Sequence, residues 1–373
     1  MDRRLDVCIN GRFLAGPPAA TYAVAEHLAR ALALVTTASG DREAGRQIQL
    51  LVPRNARDVA MGLPVERVGG RIGNVWEQID LPRAAAGRLL VNLASRSPFL
   101  LRRGLTMVHD AQVFTTPASY SLAFRATLKA NIRLAGRRQL GLLTVSEFAK
   151  SELVGLRLAP AERVHVIPNG VDHVLRTPAQ DDILPRLGLV RRGYALALAN
   201  LMPHKNIPLL IRAFARPALA GMTLVLVGGA GREAFAAAGL TPGANVVFPG
   251  YVADGEMRAL QAHALAVCTP SLTEGFGMPP VEGLMLGTPA VIAPCGALPE
   301  VCGPGALQAD PHDPAAWEAA LLRLRDDKGL HENLARDGQA FVARFTWQAA
   351  ARRLLDVIDA VAPAGADRAQ RAP

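Results

Sequence analysis

Two glutamates, Glu274 and Glu282, flank a loop whose composition suits the binding of a diphosphate. Gly275 and Gly277 let the backbone approach a ligand closely. Pro280 favours the first turn of a helix, where unpaired N–H groups and the helix dipole attract anions. A carboxylate can accept two hydrogen bonds from a vicinal diol, so one glutamate can bind a sugar and the other a ribose. The segment therefore indicates a site for a sugar nucleotide, with a glycine turn between two surface glutamates as the alternative.

A lysine, Lys205, follows a predicted apolar strand at 194–199 and precedes a helical pattern. At the carboxyl end of a parallel strand its ammonium group is placed to meet phosphate oxygens. Lysine is rare in this chain, with four lysines among 41 lysine and arginine residues, and this rarity favours a specific role for Lys205. A solvated surface lysine is the alternative. A second strand-to-helix turn, at 227–231, contains Gly228, but such a turn often serves packing alone.

In the first half, His109 and Asp110 end an apolar run that begins at Thr106. The position suits a residue that lines a ligand site. From the residues alone, a buried structural histidine with a carboxylate neighbour is equally consistent.

A helical pattern at 120–140 carries basic residues at successive i+4 positions, which are Arg125, Lys129, Arg133 and Arg137. Beside apolar surface, such a stripe is typical of helices that dock on anionic lipid headgroups, where each nearby basic residue contributes about 1 kcal/mol. A solvated charged face is the alternative.

Short, continuously apolar runs alternate with helical patterns along the whole chain. This alternation is typical of parallel sheets covered on both faces. We therefore predict an α/β fold of two Rossmann-like domains facing each other across a cleft. The predicted boundaries are 1–172 for the first domain, 173–193 for a linker, 194–345 for the second domain, 346–362 for a terminal helix and 363–373 for a tail.

The net charge of +9 is confined to the first half, where residues 1–172 carry 23 basic and 14 acidic side chains. Such an excess suits a phosphate-bearing substrate or an anionic membrane surface. No nucleic acid is expected as a partner, because no zinc finger, helix-turn-helix or aromatic-basic RNA motif occurs. The chain has no long apolar segment and no signal-peptide core, which favours a cytoplasmic protein. The basic first half would allow it to bind peripherally at the inner face of the cytoplasmic membrane.

The spacing from Glu274 to Glu282 resembles the Glu-x7-Glu motif of glycosyltransferase family 4, the retaining transferases with the GT-B fold. Further segments resemble blocks of the same family, in the same order: 145–148, 166–172, 203–206, 248–252 and 298–301. Residues 74–82, with Trp76-Glu77-Gln78, resemble a block of bacterial surface-polysaccharide mannosyltransferases.

The resemblance implies that 1–172 is the acceptor domain, that 194–345 is the donor domain, and that the helix at 346–362 crosses back to the first domain. It also implies a role for each matched residue. Lys205 would bind the donor diphosphate, Glu282 the nucleotide ribose and Glu274 the hydroxyls of the transferred sugar, with His109 beside that sugar. The remaining donor contacts would come from Gly275, Phe276, Gly277, Met278, Val252, Asn200, His204 and Gly228. Gly16 marks the first loop, which departs from the family because it has one glycine and two prolines. Asn200 and His204 stand where many relatives have an arginine as a second phosphate clamp.

The activity that the resemblance implies is retaining transfer of a hexose, with mannose from GDP-mannose as the preferred donor. The acceptor would be a hydroxyl of a lipid-linked oligosaccharide in surface polysaccharide synthesis. No cofactor is expected, and the lack of an Asp-x-Asp pair predicts no metal on the diphosphate. A non-catalytic nucleotide-sugar-binding partner protein and a sugar epimerase of the same fold are the alternatives.

Overall fold

The apolar runs form two separate parallel sheets in the computed structural model, which describes residues 5–16, 19–38 and 46–370. The expected α/β fold class, with one parallel sheet in each half, is confirmed. The chain divides into two units, one that ends at Gly170 and resumes at Thr346, and one that runs from Val171 to Phe345.

The first unit contains a seven-stranded sheet with the order β3-β2-β1-β4-β5-β6-β7. Its strands are β1 (Leu5–Asn10), β2 (Arg46–Val52), β3 (Val65–Arg67), β4 (Leu89–Asn92), β5 (Gly104–Met107), β6 (Gly141–Thr144) and β7 (Val164–Val166). All neighbouring strands pair in parallel. Its helices up to residue 170 are α1 (Ala20–Ala38), α2 (Gly73–Val75), α3 (Leu81–Ala84), α4 (Gln112–Thr115), α5 (Leu122–Arg138) and α6 (Glu147–Gly155).

The second unit contains a six-stranded parallel sheet with the order β10-β9-β8-β11-β12-β13. Its strands are β8 (Tyr194–Leu198), β9 (Thr223–Val227), β10 (Val246–Gly250), β11 (Ala266–Thr269), β12 (Ala290–Ile292) and β13 (Ala306–Gln308). Its helices are α7 (His173–Arg176), α8 (Ile183–Arg186), α9 (Ile207–Phe214), α10 (Arg232–Ala237), α11 (Asp254–His263), α12 (Met278–Met285), α13 (Leu298–Cys302), α14 (Pro314–Asp326) and α15 (Lys328–Val342).

Residues 173–193, the predicted linker, contain the short helices α7 and α8. Ile183 and Leu184 of α8 are buried in a core cluster of the second unit with Tyr194 and Leu260. Apolar side chains buried in this way make the segment part of the second unit.

The last helix, α16 (Trp347–Gln370), packs along α1 in the first unit. Trp347 stacks on His27 with ring centroids 5.1 Å apart, and Arg353 Nε donates to the Val166 carbonyl at 2.7 Å. The helix continues through 363–370, which we expected to be tail. The alanine-rich sequence there suits a helix.

Each sheet changes direction of winding between two central strands, β1 and β4 in the first and β8 and β11 in the second. In open parallel sheets, ligands bind beyond the carboxyl ends of the strands at such a switch point. The loops that follow these four strands are therefore the places to look for a site. These loops begin at Gly11, Leu93, Ala199 and Pro270.

Candidate functional site

Lys205 ends a 3-10 turn, Pro203–Lys205, in the loop that follows β8 at the switch point of the second sheet. The loop is fixed at its start because Asn200 Oδ1 accepts the Met202 N–H at 2.8 Å. It is fixed at its end by Asn206, which adopts a left-handed conformation with φ 54° and donates from Nδ2 to the Pro311 carbonyl at 2.8 Å. Asparagine is one of the few side chains that tolerate this backbone region.

Glu274 lies in the loop after β11 and meets the lysine across the switch point. Lys205 Nζ donates to Glu274 Oε1 at 2.7 Å, and the Ser271 hydroxyl donates to the same oxygen at 2.7 Å. The lysine side chain is 28% exposed and the glutamate 13%. Gly296 packs directly against the backbone of Glu274, where a Cβ would lie only 2.5 Å from the Glu274 nitrogen. The pair is thus held on both sides while its charged end stays accessible.

The loop after Glu274 leads directly into α12, with Gly277 at the N-cap and φ 90°. Only glycine adopts such a φ without strain, and a Cβ would also collide with Leu298 at 2.6 Å. Phe276 is buried against the edge of Phe345, with ring centroids 5.4 Å apart. The buried phenylalanine anchors the loop. At the start of α12 the Met278 N–H has no partner within the helix, and the next two residues, Pro279 and Pro280, carry no N–H.

Glu282 lies on the second turn of α12 and has its own partners. Gln261 Nε2 donates to Glu282 Oε2 at 2.8 Å, and His173 Nε2 lies 3.5 Å from Oε1. The glutamate side chain is 16% exposed. Glu274 and Glu282 are therefore both oriented by neighbours, although by different ones, before any ligand binds.

The other donor-site candidates lie around the carboxyl edge of the same sheet. Gly228 follows β9 with φ 141°, and a Cβ there would meet the Ala199 carbonyl at 2.9 Å. Val252 packs partly buried against the core between β10 and α11. His204 is buried, and this burial is the main cause that lowers its pKa. The nearby positive charge of Lys205 lowers the pKa further. A neutral, buried His204 shapes the lysine loop rather than adding a second positive charge.

His109 belongs to the first unit and follows β5 by two residues, so the strand ends earlier than the apolar run suggests. Its Nε2 lies 3.1 Å from the Leu93 carbonyl, and burial lowers its pKa to about 4. A carbonyl only accepts hydrogen bonds, so a neutral imidazole must carry its proton on Nε2 and leave Nδ1 as an acceptor. His109 is thus available as a neutral hydrogen-bond acceptor. Asp110 Oδ1 accepts the Gln112 N–H at 2.9 Å.

A polar cluster at the switch point of the first sheet was missed by sequence reasoning. The buried Glu77 accepts from Asn10 Nδ2 at 3.1 Å and forms an ion pair with Arg12. Arg12 Nη2 and Arg96 Nη1 both donate to Asn74 Oδ1, at 2.6 and 3.1 Å. The Trp76-Glu77-Gln78 block is a signal for Glu77, but nothing in the sequence connects it with the two arginines.

Gly16 and the basic stripe also lie in the first unit. A Cβ on Gly16 would collide with the Tyr22 ring, so packing alone accounts for this glycine, and Pro17 and Pro18 lie outside the described residues. On α5, Lys129 and Arg133 lie over the Phe114 ring, 5.2 and 5.1 Å from its centroid.

Two further residues of the stripe, Arg125 and Arg137, flank that pair. Arg125 Nη1 lies 3.4 Å from the Pro117 carbonyl, and Arg137 is exposed. Within the described ranges, no helix is both long and apolar enough to span a bilayer.

Comparison with known proteins gives the context for these sites. Residues 181–341, which include Lys205, Glu274 and Glu282, match the family model described as "Glycosyl transferases group 1". The chain is 31% identical over 261 residues to O-antigen chain mannosyltransferase B of Escherichia coli, which covers 67% of this chain and 68% of that protein. It is 33% identical over 290 residues to D-inositol 3-phosphate glycosyltransferase of Salinispora tropica, covering 69% of this chain and 59% of that one.

Among solved structures, sucrose-phosphate synthase from Thermosynechococcus elongatus has a similar fold. The TM-score is 0.71 at 18% identity, over 97% of this chain and 100% of that one. The two parallel sheets, their switch-point loops and the sequence matches agree with one another. This chain belongs to the group 1 glycosyl transferases and has the GT-B fold.

Proposed function

We propose that the protein transfers mannose from GDP-mannose, with retention, to a hydroxyl of a lipid-linked oligosaccharide during bacterial surface polysaccharide synthesis. The similarity to a protein named O-antigen chain mannosyltransferase supports the sugar and the process. The Trp76 block, whose Glu77 is buried in the polar cluster of the first unit, supports the same choice.

The observation that carries the proposal is the pairing of Lys205 with Glu274 beside the start of α12. In the proposed complex the Lys205 ammonium binds the donor diphosphate, and Glu274 binds hydroxyls of the transferred sugar. An ammonium group has three N–H donors, so Lys205 can hold Glu274 and a phosphate oxygen together. The backbone N–H groups of Phe276, Gly277 and Met278 add further donors at the helix start.

Glu282 binds the ribose diol in this proposal. Gln261 occupies only one of its carboxylate oxygens by a hydrogen bond of 2.8 Å, so acceptor capacity remains. Val252, Gly228 and Asn200 lie at the carboxyl edge of the same sheet and would complete the nucleotide pocket, with Gly228 and Gly275 allowing close backbone approach.

The mechanism that this arrangement favours is front-face substitution, in which the bond from the sugar to the diphosphate breaks before the acceptor oxygen attacks from the same side. A double displacement needs a carboxylate nucleophile close to the anomeric carbon. Glu274, the carboxylate nearest the proposed sugar position, is already engaged by Lys205 and Ser271. The departing phosphate takes the acceptor's proton, and Lys205 stabilises the charge that grows on the diphosphate. His109 contributes a neutral acceptor for a sugar hydroxyl.

We further propose that the first unit binds the acceptor and that the stripe of α5 docks at the inner face of the cytoplasmic membrane. The exposed Arg137 and the exposed apolar side chain of Leu122 support docking, because anionic headgroups and the membrane interface favour this combination.

The proposal is tested first by thermal shift with GDP-mannose, GDP-glucose, UDP-glucose and dTDP-glucose. A bound donor raises the melting temperature by mass action, so GDP-mannose should give the largest shift. NMR of the reaction with a mannose-accepting lipid diphosphate saccharide should then show an α-linked product from the α-configured donor. Binding without turnover of either donor or acceptor would favour the non-catalytic alternative, and a changed free sugar nucleotide would favour the epimerase.

A further inference from the structure

The switch point of the first sheet opens into a cavity of about 400 Å³. The loop after β1 contributes Arg12, the loop after β4 contributes Arg96, and one face of α5 contributes Phe124 and Leu128. This volume lies within the range of about 300–1,000 Å³ that is usual for small-molecule sites. The cavity combines a switch-point location with charged and apolar walls, and both suit a ligand.

The guanidinium group of Arg96 is held at this cavity without a carboxylate partner among the described residues. It donates to Asn74 Oδ1 at 3.1 Å and lies 5.3 Å from the centroid of the Phe124 ring. The second arginine, Arg12, shares the Asn74 oxygen at 2.6 Å but is neutralised by the buried Glu77. Two guanidinium groups thus converge on one neutral oxygen, and one of them retains its full charge for an anion. Planar guanidinium groups are well suited to phosphate.

The wall next to Arg96 is apolar and reaches the surface. Phe124, Leu128 and Ile132 recur at i+4 on α5 and all line the cavity. Phe124 stacks on Tyr120 with centroids 5.6 Å apart and remains 38% exposed. A hydrocarbon group attached to the phosphate would cover this surface.

A third kind of group lines the cavity, the carboxylate of Asp110. A carboxylate repels phosphate, but it accepts hydrogen bonds from sugar hydroxyls. A ligand that matches all these side chains therefore has hydroxyl groups near Asp110, a phosphate near Arg96 and a hydrocarbon group beyond the phosphate.

We propose that this cavity binds the reducing end of the acceptor, a sugar joined through a phosphate or diphosphate to a hydrocarbon chain. Arg96 binds the phosphate, Asp110 the sugar hydroxyls, and the Phe124 face of α5 the first part of the hydrocarbon. This inference rests on the proposed function, since it assigns a place to the acceptor of that reaction.

The test uses isothermal titration calorimetry with farnesyl diphosphate, inorganic pyrophosphate and farnesol as probes. All titrations are done in the Lys205→Ala background, which weakens competing diphosphate binding in the second unit. Farnesyl diphosphate should bind more tightly than either fragment. Arg96→Gln should weaken it about tenfold or more, as expected for loss of a charge-assisted hydrogen bond. Phe124→Ser should weaken farnesyl diphosphate but not pyrophosphate.

The matched control is Arg102→Gln, which removes the same charge at an exposed position of the first unit that does not line the cavity. Equal weakening by Arg96→Gln and Arg102→Gln would overturn the site in favour of general surface charge. Pyrophosphate binding as tight as that of farnesyl diphosphate would overturn the hydrocarbon subsite. Sugar transfer is measured separately with Lys205 intact. Normal transfer with no probe selectivity refutes only the site, whereas selective probe binding without any sugar turnover refutes only the proposed function.

Discussion

The ammonium nitrogen of Lys205 lies 2.7 Å from Oε1 of Glu274, although the two residues are 69 positions apart in the chain. They come from the loops after β8 and β11, which are neighbouring strands at the switch point of the sheet. In the proposed complex, the contact therefore brings the cation for the diphosphate and the carboxylate for the sugar to one place. A change at either residue must also alter the position of the other.

Lys205→Ala should lower the turnover rate about a hundredfold while it weakens donor binding much less. The charge on the leaving diphosphate grows in the transition state, and loss of one preorganised contact to it costs about 3 kcal/mol. Single-turnover rates and donor affinity measured separately check this expectation. Lys328→Ala, at an exposed lysine of α15, is the matched control and should leave both quantities unchanged. A loss confined to donor affinity would remove Lys205 from the chemical step.

Glu282→Ala should weaken donor binding and leave the turnover rate at saturating donor nearly unchanged. The ribose diol is far from the reacting bond and is bound equally before and during transfer. Gln261→Ala should produce a smaller effect in the same direction, because Gln261 only orients the carboxylate. Donor affinity by calorimetry and kcat at saturation are the measurements, with the exposed Glu332→Ala as control. If Glu282→Ala lost turnover with affinity intact, the nucleotide would lie the opposite way along this loop.

His109 should make folding stability depend on pH between about 6.5 and 4. Burial lowers its pKa from 6.5 to about 4 in the folded state. In that window the unfolded chain binds a proton that the folded chain does not, so stability falls as the pH falls. His109→Gln should remove part of this loss, whereas His312→Gln, at an exposed histidine, should not. Urea unfolding at pH 7, 6, 5 and 4 measures the slopes, and equal slopes for wild type and His109→Gln would contradict the assignment.

Sugar transfer should continue in excess EDTA. In the proposed mechanism Lys205 and the start of α12 carry the positive charge that a divalent ion supplies in other transferases. The measurement is the initial rate with and without prior treatment with the chelator. Loss of turnover that manganese or magnesium restores would contradict the charge-stabilisation mechanism.

Replacing Arg125, Lys129 and Arg133 with Glu should abolish sedimentation with anionic liposomes, because each basic residue near the surface contributes about 1 kcal/mol to binding. Turnover of a water-soluble acceptor analogue should persist. The control makes the same charge change at exposed positions of the second unit, namely Arg323, Arg325 and Arg336. If the first variant bound liposomes as the wild type does, the stripe would be a charged face that contacts only water.

Local signals explain which parts of the fold could be predicted from sequence. The apolar run at 194–199, which forms β8, could be recognised because its pattern depends only on residues close together in the chain. By contrast, β3 is a short edge strand whose three residues are all exposed, so it carries no apolar pattern. The helix over 363–370 was missed because Pro363 and Gly365 are usually read as helix breakers.

The residues of the candidate site also fall into two groups, those that a local sequence pattern reveals and those that it does not. Glu274, Gly277 and Glu282 lie within nine residues, so their spacing could be recognised directly. Ser271 and Gln261, which orient the two glutamates, could not be predicted because serine and glutamine serve many purposes. The cluster of Arg12, Asn74, Glu77 and Arg96 needs contacts across 22 to 65 positions, which no local pattern records.

The return of α16 to the first unit has a consequence for protein engineering. The segment before it ends at Phe345, whose ring packs on Phe276 in the loop before α12. Two residues later, Trp347 stacks on His27 of α1. A gene fragment encoding only residues 1–170 would leave the α1 face that α16 covers open to water. Chimeras that exchange the first unit between relatives must therefore exchange two stretches of sequence, the amino-terminal 170 residues and the carboxyl-terminal helix, as one cassette.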